Sequence, residues 1–339
     1  MHFLILWLHI GYIIIYMENK KQYTLYFEEL KQRVFQKKLQ EPSHIYWIVH
    51  IVFTIGAYIF WLYLVWKISL IYLLIYFYIL GVELGFISHD LIHNQYFKNT
   101  KLNVFFSYIC ANFLIGLSRS WWMKKHNIDH HTFTNSDIHD SDIRDYDEIF
   151  TKNPGKSIFF HTHKIVLFWF ATSILYFNLI FLSYKYILQH KKYGEFCISI
   201  WYFFLLPTVL FLQYWFYLSC LVLIVIYMLI WVHLAFVFMV NHIGMEIIDG
   251  KIIKEYSWLD LQTRTSRNIR GWWIVHHFFG WLNKQIEHHL FPSIPRNKII
   301  AVAKETKLFC QKHGIRYHEV TFLESIKEIY CTLKTWNTM

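Results

Sequence analysis

Apolar positions along this chain gather into long runs. They do not alternate along the chain, and they rarely recur at helical spacing. Residues 44–66 form one run and 68–88 a second, with only Lys67 between them. Residues 196–214 and 216–240 form another closely spaced pair. Each run has about the ~20 residues that an α-helix needs to cross a bilayer. The pattern predicts four transmembrane helices arranged as two tight hairpins. A shorter apolar stretch, 1–16, is barely long enough to span and lacks the basic start and small-residue cleavage site of a signal peptide. Met17-Glu18-Asn19-Lys20-Lys21 follows it and looks like a normal cytosolic start. The stretch reads as an interfacial or extra helix, or as the product of a mis-assigned start codon.

The remaining segments are polar. In 17–43, Leu30, Val34, Phe35 and Leu39 recur at helical spacing among Lys20, Lys21, Lys31, Arg33, Lys37 and Lys38. That predicts an amphipathic cytosolic helix on the membrane surface. Two apolar stretches interrupt the segment 89–195. One, 104–117, is short for a crossing. The other, 158–188, is broken by His161, His163, Lys164, Asn178 and Lys185. Both are expected to lie in the interface. Lys and Arg crowd 17–43, 89–157 and 241–339 and nearly vanish from the hairpin turns. The positive-inside rule therefore puts all three basic segments in the cytosol. The predicted fold class is all-α and integral to the membrane. It has four spans and a cytosolic helical cap built from 89–195 and 241–335, and the segment 44–335 forms one domain.

Composition agrees. Apolar residues make up 55% of the chain and aromatics 21%, while charged residues reach only 17%, against roughly 25% in soluble domains. Composition therefore argues against a purely soluble protein. The net charge of +10 is spread over the polar segments without a recognition pattern, so it speaks for topology and anionic head groups rather than nucleic acid. Cys110, Cys197, Cys220, Cys310 and Cys331 contain no CxxC pair, so neither a disulfide framework nor a zinc–thiolate site is expected.

The 21 histidines nearly equal the 23 acidic residues, and many fall in three clusters beyond the spans. The first is His89-Asp90-Leu91-Ile92-His93. The second is His126-Asn127-Ile128-Asp129-His130-His131. The third is Gln285-Ile286-Glu287-His288-His289. Two histidines at i and i+4 share a helix face, so their imidazoles can share a metal. Seven histidines on one membrane side exceed one tetrahedral site and suit two metals. A site rich in imidazole and free of thiolate suits Fe, Zn or Cu.

These clusters resemble the three histidine boxes of the membrane fatty acid desaturases, and the Gln of the third box resembles the front-end subgroup. Gly116-Leu117-Ser118 through Trp121-Trp122 is similar to the family's approach to its second box, and Thr134-Asn135-Ser136-Asp137 to its exit. Phe236 to His242 looks like the segment that supplies one further ligand. Trp258 to Asn268, Leu282 to Pro292 and Gly314-Ile315-Arg316-Tyr317 also match, so the resemblance covers about residues 20–335. It implies a cap that holds two irons through His89, His93, His126, His130, His131, His242, His288 and His289, with Gln285 beside the metals. It also implies O2-dependent removal of two hydrogens from an acyl chain carried on lipid or CoA. An alkane C–H has no acidity for a general base to exploit, so such chemistry belongs to a metal–oxygen cofactor. Asp90, Asp129 and Glu287 are candidates to back the ligands. Asp137, Asp140, Asp142 and Asp145 could do the same, but a solvated acidic loop is the favoured reading.

Glu83 reads as functional or snorkelling, His276 and His277 as structural, and His2, His9, His44, His50 and His233 as core or interface residues. No His-Pro-Gly-Gly haem motif occurs, so a separate electron donor, cytochrome b5 or a ferredoxin, is expected. The membrane would be the endoplasmic reticulum in a eukaryote and the inner membrane in a bacterium. Alternatives are a sphingolipid desaturase, an acyl hydroxylase on the same scaffold, and a zinc-binding membrane receptor or transporter. The near absence of polar residues from the spans disfavours transport.

Overall fold

The computed structural model describes residues 2–142 and 158–335, so Asp145 lies outside the described residues. The chain is almost wholly helical, with one two-stranded sheet among the described residues. Among the described residues, four helices are long and apolar enough to cross a membrane: α2 (His44–Leu64), α3 (Leu70–Ile92), α7 (Tyr193–Gln213) and α8 (Phe216–His242). α6 (Ile158–Gln189) is one long helix, within which Val166–Thr172 and Phe177–Gln189 meet at 48°. By length and composition that pair is a broken span or a re-entrant segment.

The chain divides into two compact units. The helical unit consists of Glu41–Asn127, Asn153–Met239 and Asn337–Met339. In it α2 and α3 are tied by Trp61 Nε1 donating to the Leu73 carbonyl (3.1 Å) and Tyr76 Oη to Ala57 (3.2 Å). Gly81 and Gly85, one turn apart on α3, let the Ile230 and Leu234 side chains of α8 come close. A Cβ on Gly85 would stand 2.8 Å from Leu234 Cδ1. Inside this unit Glu83 pairs with His50 (3.1 Å), and His50 Nδ1 lies 3.0 Å from Tyr96 Oη.

A buried carboxylate fixes the approach to the second histidine cluster. α4 (Thr100–Ser107) runs on as a π-helix, Tyr108–Phe113, and α5 (Arg119–Trp122) begins after a turn at Gly116. Glu195, in the first turn of α7, accepts from Ser118 Oγ (2.5 Å), Ser120 Oγ, Ser120 N (3.4 Å) and Asn112 Nδ2 (3.5 Å). A buried carboxylate persists only when hydrogen-bonded in this way. Gly116 has φ +79°, and an added Cβ would lie 2.5 Å from Tyr202 Cδ1. Gly116→Ala is expected to cost about 1–3 kcal/mol through backbone strain and overpacking. It should melt earlier than wild type in detergent, and equal melting would refute the close approach.

The cap unit consists of Met1–Gln40, Ile128–Lys152 and Val240–Trp336. α1 is one helix, His2–Gln36. Its stripe does not lie on the membrane surface as expected. Leu30 and Val34 are fully buried against α9 (Trp258–Thr265), α11 (Gln285–Leu290) and α12 (Ile299–His313), in a cluster with Leu259, Ile286, Val302 and Phe309. Phe35, with 43% exposure, is left outside it. An amphipathic face cannot tell lipid from a protein core, and here the core supplies more complementary packing.

β1 (Asn268–Arg270) pairs in parallel with β2 (Glu319–Thr321), and α10 (Trp273–Phe278) and α13 (Phe322–Thr335) follow the two strands. Glu319 on β2 accepts from Lys284 (2.7 Å) and Lys307 (2.5 Å). Burial raises its carboxyl pKa, but the two ammonium groups outweigh burial and hold it below its ordinary value. The folded state therefore favours the charged form. This stability is full above the ordinary value of 4.5 and is lost as pH falls through the lower folded value. Glu319→Gln should flatten the acid limb of the melting curve. If wild type and variant lost melting temperature equally below pH 4.5, the ion pair would contribute nothing.

Candidate metal centre

The helical unit holds three of the box histidines. α3 presents His89, with His93 as the residue that ends it, while His126 comes from a π-helix, Met123–His130, that continues α5. Ordinary α-helical spacing is what the sequence leads one to expect there, whereas a π-turn is wider and recurs mostly at functional sites. Ligand atoms of His89, His93 and His126 lie within 4.8 Å of one another, and His89 Nε2 is 3.1 Å from His126 Nε2. All three are buried. His89 Nδ1 donates to Asp90 Oδ1 (3.1 Å). The Trp122 ring stacks on His126 with centroids 5.1 Å apart, and Phe238 flanks both His89 and His126. An apolar cavity leads up to this group. Phe77, Leu84, Tyr227, Ile230 and Leu234 line it, and His89 is in its wall.

The cap unit holds the other five. His130 and His131 close the second box, His242 ends α8, and all six residues of α11, Gln285–Leu290, are buried. Ligand atoms of His130, His242 and His289 lie within 4.8 Å of one another. The His131 ring stands 4.8 Å from that of His288 and 4.2 Å from that of His289. Gln285 Nε2 donates to His242 Nε2 (3.0 Å), so this side chain stands at a ring nitrogen of the group.

Fixed partners aim these rings. His130 Nδ1 donates to Asp140 Oδ2 (2.9 Å), His242 Nδ1 to the Thr265 carbonyl (3.1 Å) and His289 Nδ1 to Gln262 Oε1 (2.9 Å). An imidazole whose Nδ1–H is engaged carries its lone pair on Nε2, which is the arrangement of metal-bound histidine. The end of α8 is itself pinned. Arg267 is fully buried and donates to Val240 O (2.6 Å), Ile243 O and Glu328.

Of the residues expected to back the ligands, Asp90 accepts from His89 Nδ1 in the helical unit. Asp129 is half-buried. Glu287 accepts from Asn268 Nδ2 (2.8 Å). Burial pushes its carboxyl up, with Asn268 opposing. Asp140 is a correction: it is fully buried, and it also accepts from Asn135 N (2.9 Å) and Asp142 N (2.9 Å). Asp142 stays 3.8 Å from His130 and is partly exposed. Asp140 lies ten positions beyond His130 in a run of aspartates, and spacing alone does not single it out. Gln262, Thr265, Arg267 and Asn268 lie in a stretch marked only by its resemblance to the family, with no role attached to any of them, and Glu195 gave no local signal. His276 and His277 bond to Asn283 and to the Trp273 carbonyl, and His233 bonds to Tyr78.

In each unit the buried imidazoles, several with Nδ1 anchored, are donors suited to a first-row transition metal rather than a hard cation. These clusters can bind metal.

The fatty acid desaturase model matches residues 66–321. The chain belongs to the fatty acid desaturase family. This desaturase-family chain is 30% identical over 278 residues to the acyl-lipid (9-3)-desaturase of Physcomitrium patens, covering 74% of this chain and 50% of that protein. It is 28% identical over 333 residues to the Delta(6)-fatty-acid desaturase fat-3 of Caenorhabditis elegans, covering 88% and 72%. It is 29% identical over 301 residues to the Delta 8-(E)-sphingolipid desaturase of Lachancea kluyveri, covering 75% and 50%. The chain therefore spans about half the length of the moss and yeast relatives. The family is metal-dependent, which agrees with the clustered histidines.

Proposed function

We propose that this desaturase-family chain is an O2-dependent fatty acyl desaturase that inserts a double bond into a lipid- or CoA-linked acyl chain with front-end regiochemistry. The observation that carries the reading is the apolar cavity with His89 in its wall, beside buried imidazoles ready to hold metal. Relatives described as (9-3)-, Delta(8)- and Delta(6)-desaturases support the regiochemistry. The reaction takes two hydrogens from adjacent methylenes. With O2, two electrons and two protons it yields the alkene and two waters.

The eight histidines, three in the helical unit and five in the cap unit, would hold iron, which when bound would supply the oxidising power that attack on an unactivated C–H needs and no side chain has. The protein's own part is different. The cavity orients the chain and excludes water. Asp140, Thr265 and Gln262 hold the protons on the Nδ1 atoms of His130, His242 and His289. Electrons come from a cytochrome b5 or ferredoxin donor. The distribution of Lys and Arg supports a cytosolic centre, on the endoplasmic reticulum of a eukaryote or the inner membrane of a bacterium. The yeast relative supports a sphingolipid substrate as a second reading.

The test is mass spectrometry of lipids from a host expressing the chain, with His288→Ala as control. The host is fed saturated and polyunsaturated acids together with each donor. A new double bond seen only with the wild type is expected, and its position reads out the regiochemistry. A new hydroxyl group in its place would make the protein a hydroxylase. A new double bond in the long-chain base would favour the sphingolipid reading.

A further inference from the structure

The anchors of the cap-unit imidazoles are not equivalent. His130 is backed by a carboxylate and His242 by a main-chain carbonyl, whereas His289 is backed by the neutral amide of Gln262. An amide offers a donor at one end and an acceptor at the other, so which end faces His289 decides which ring nitrogen carries the proton. Gln262 is fully buried on α9, and its other end settles the orientation. The Gln262 side chain lies 3.0 Å from the main-chain oxygen of His131. That oxygen can only accept, so the amide NH2 must point at it. Oε1 then faces His289 Nδ1 at 2.9 Å and can only accept in turn. Nδ1 must carry the proton, and Nε2 is left with its lone pair. The Thr134 hydroxyl closes the bracket, 3.0 Å from Gln262 Oε1 and 3.1 Å from His289 Nδ1, while it also reaches His130 O (2.9 Å).

We propose that Gln262 is a positioning residue: anchored by the His131 carbonyl, it sets the tautomer of His289 and locks the third box to the second within the cap unit. The inference rests on the metal centre proposed above. It adds a division of labour, because two imidazoles of the protein are made electron-rich by carboxylates while His289 receives direction without charge. Losing such an outer partner weakens metal binding about 10- to 100-fold.

The test is a Co(II) titration of the purified full-length chain in detergent. It is read by visible absorption and by chelator competition, and so needs neither O2 nor substrate. Gln262→Leu keeps the volume but removes the acceptor, and should weaken Co(II) binding about 10- to 100-fold and change the absorption of the bound ion. Gln262→Glu keeps an acceptor oxygen and should bind more tightly than the leucine variant. Melting of the metal-free proteins shows whether both variants fold. Wild-type Co(II) affinity and spectrum in folded Gln262→Leu would overturn the inference and leave the functional reading intact. The same would follow if folded Gln262→Glu bound as weakly as the leucine variant, because the residue would then act only as a donor to His131. A wild-type chain that binds no Co(II) would overturn the functional reading and this inference together.

Discussion

His130→Ala is expected to abolish the proposed desaturation while the protein stays in the membrane. His130 stands with His242 and His289, its ring centroid 4.7 and 4.9 Å from theirs. Losing a residue that merely backs a ligand costs about 10- to 100-fold in metal affinity or activity, so losing a ligand should cost more. Turnover below about one hundredth of wild type is expected, with iron content reduced in the purified protein. Membrane extraction separates this from failed insertion, because no span contains His130. Turnover near the wild-type level would mean that His130 holds no catalytic metal.

Asp140→Asn should have the second-largest effect. The wild-type carboxylate accepts from His130 Nδ1, Asn135 N and Asp142 N. Asparagine keeps the shape but offers one oxygen, so one of these donors meets an NH2 group instead. A buried donor left unsatisfied costs about 1–3 kcal/mol. Loss of the charge also makes the His130 imidazole a poorer donor to metal. Metal retention against a chelator should fall about 10- to 100-fold. Asp142→Asn, changing a partly exposed carboxylate 3.8 Å from the ring, should change little. If the two variants retained metal equally well, the assignment of Asp140 would fail. The effects of His130→Ala and Asp140→Asn should not add, since they break one shared interaction.

The legible part of the molecule is the part that one-dimensional rules govern. Bilayer thickness imposes runs of a fixed length, so α2, α3, α7 and α8 stand out in the sequence. Imidazoles bunched at matching spacing stand out in the same way, because metal binding is what brings so many together, and resemblance to the desaturases added His242, which no cluster contains. What stayed hidden are pairings made only in three dimensions. Gln262 is 131 positions from the His131 carbonyl it holds. Glu195 lies one position before the apolar run 196–214, and nothing in the sequence marks it as gathering donors from 75 to 83 positions away. Asp140 was concealed by its neighbours, since a run of aspartates reads as solvated whether or not one of them turns inward. The stripe of α1 was legible as a stripe, but nothing in it named what would cover it.

That cover has a consequence in time. Leu30 and Val34 leave the ribosome early, and their partners Val302 and Phe309 follow about 270 residues later. At roughly 5–20 residues per second, the first helix waits on the order of 15 to 50 s for its core. Throughout that interval its apolar stripe is open to chaperones, to proteases and to other nascent chains. The cellular yield of this protein therefore depends on a segment made late. A premature stop just before α12 should send the product to degradation, although the four candidate spans and all three histidine clusters have already been made.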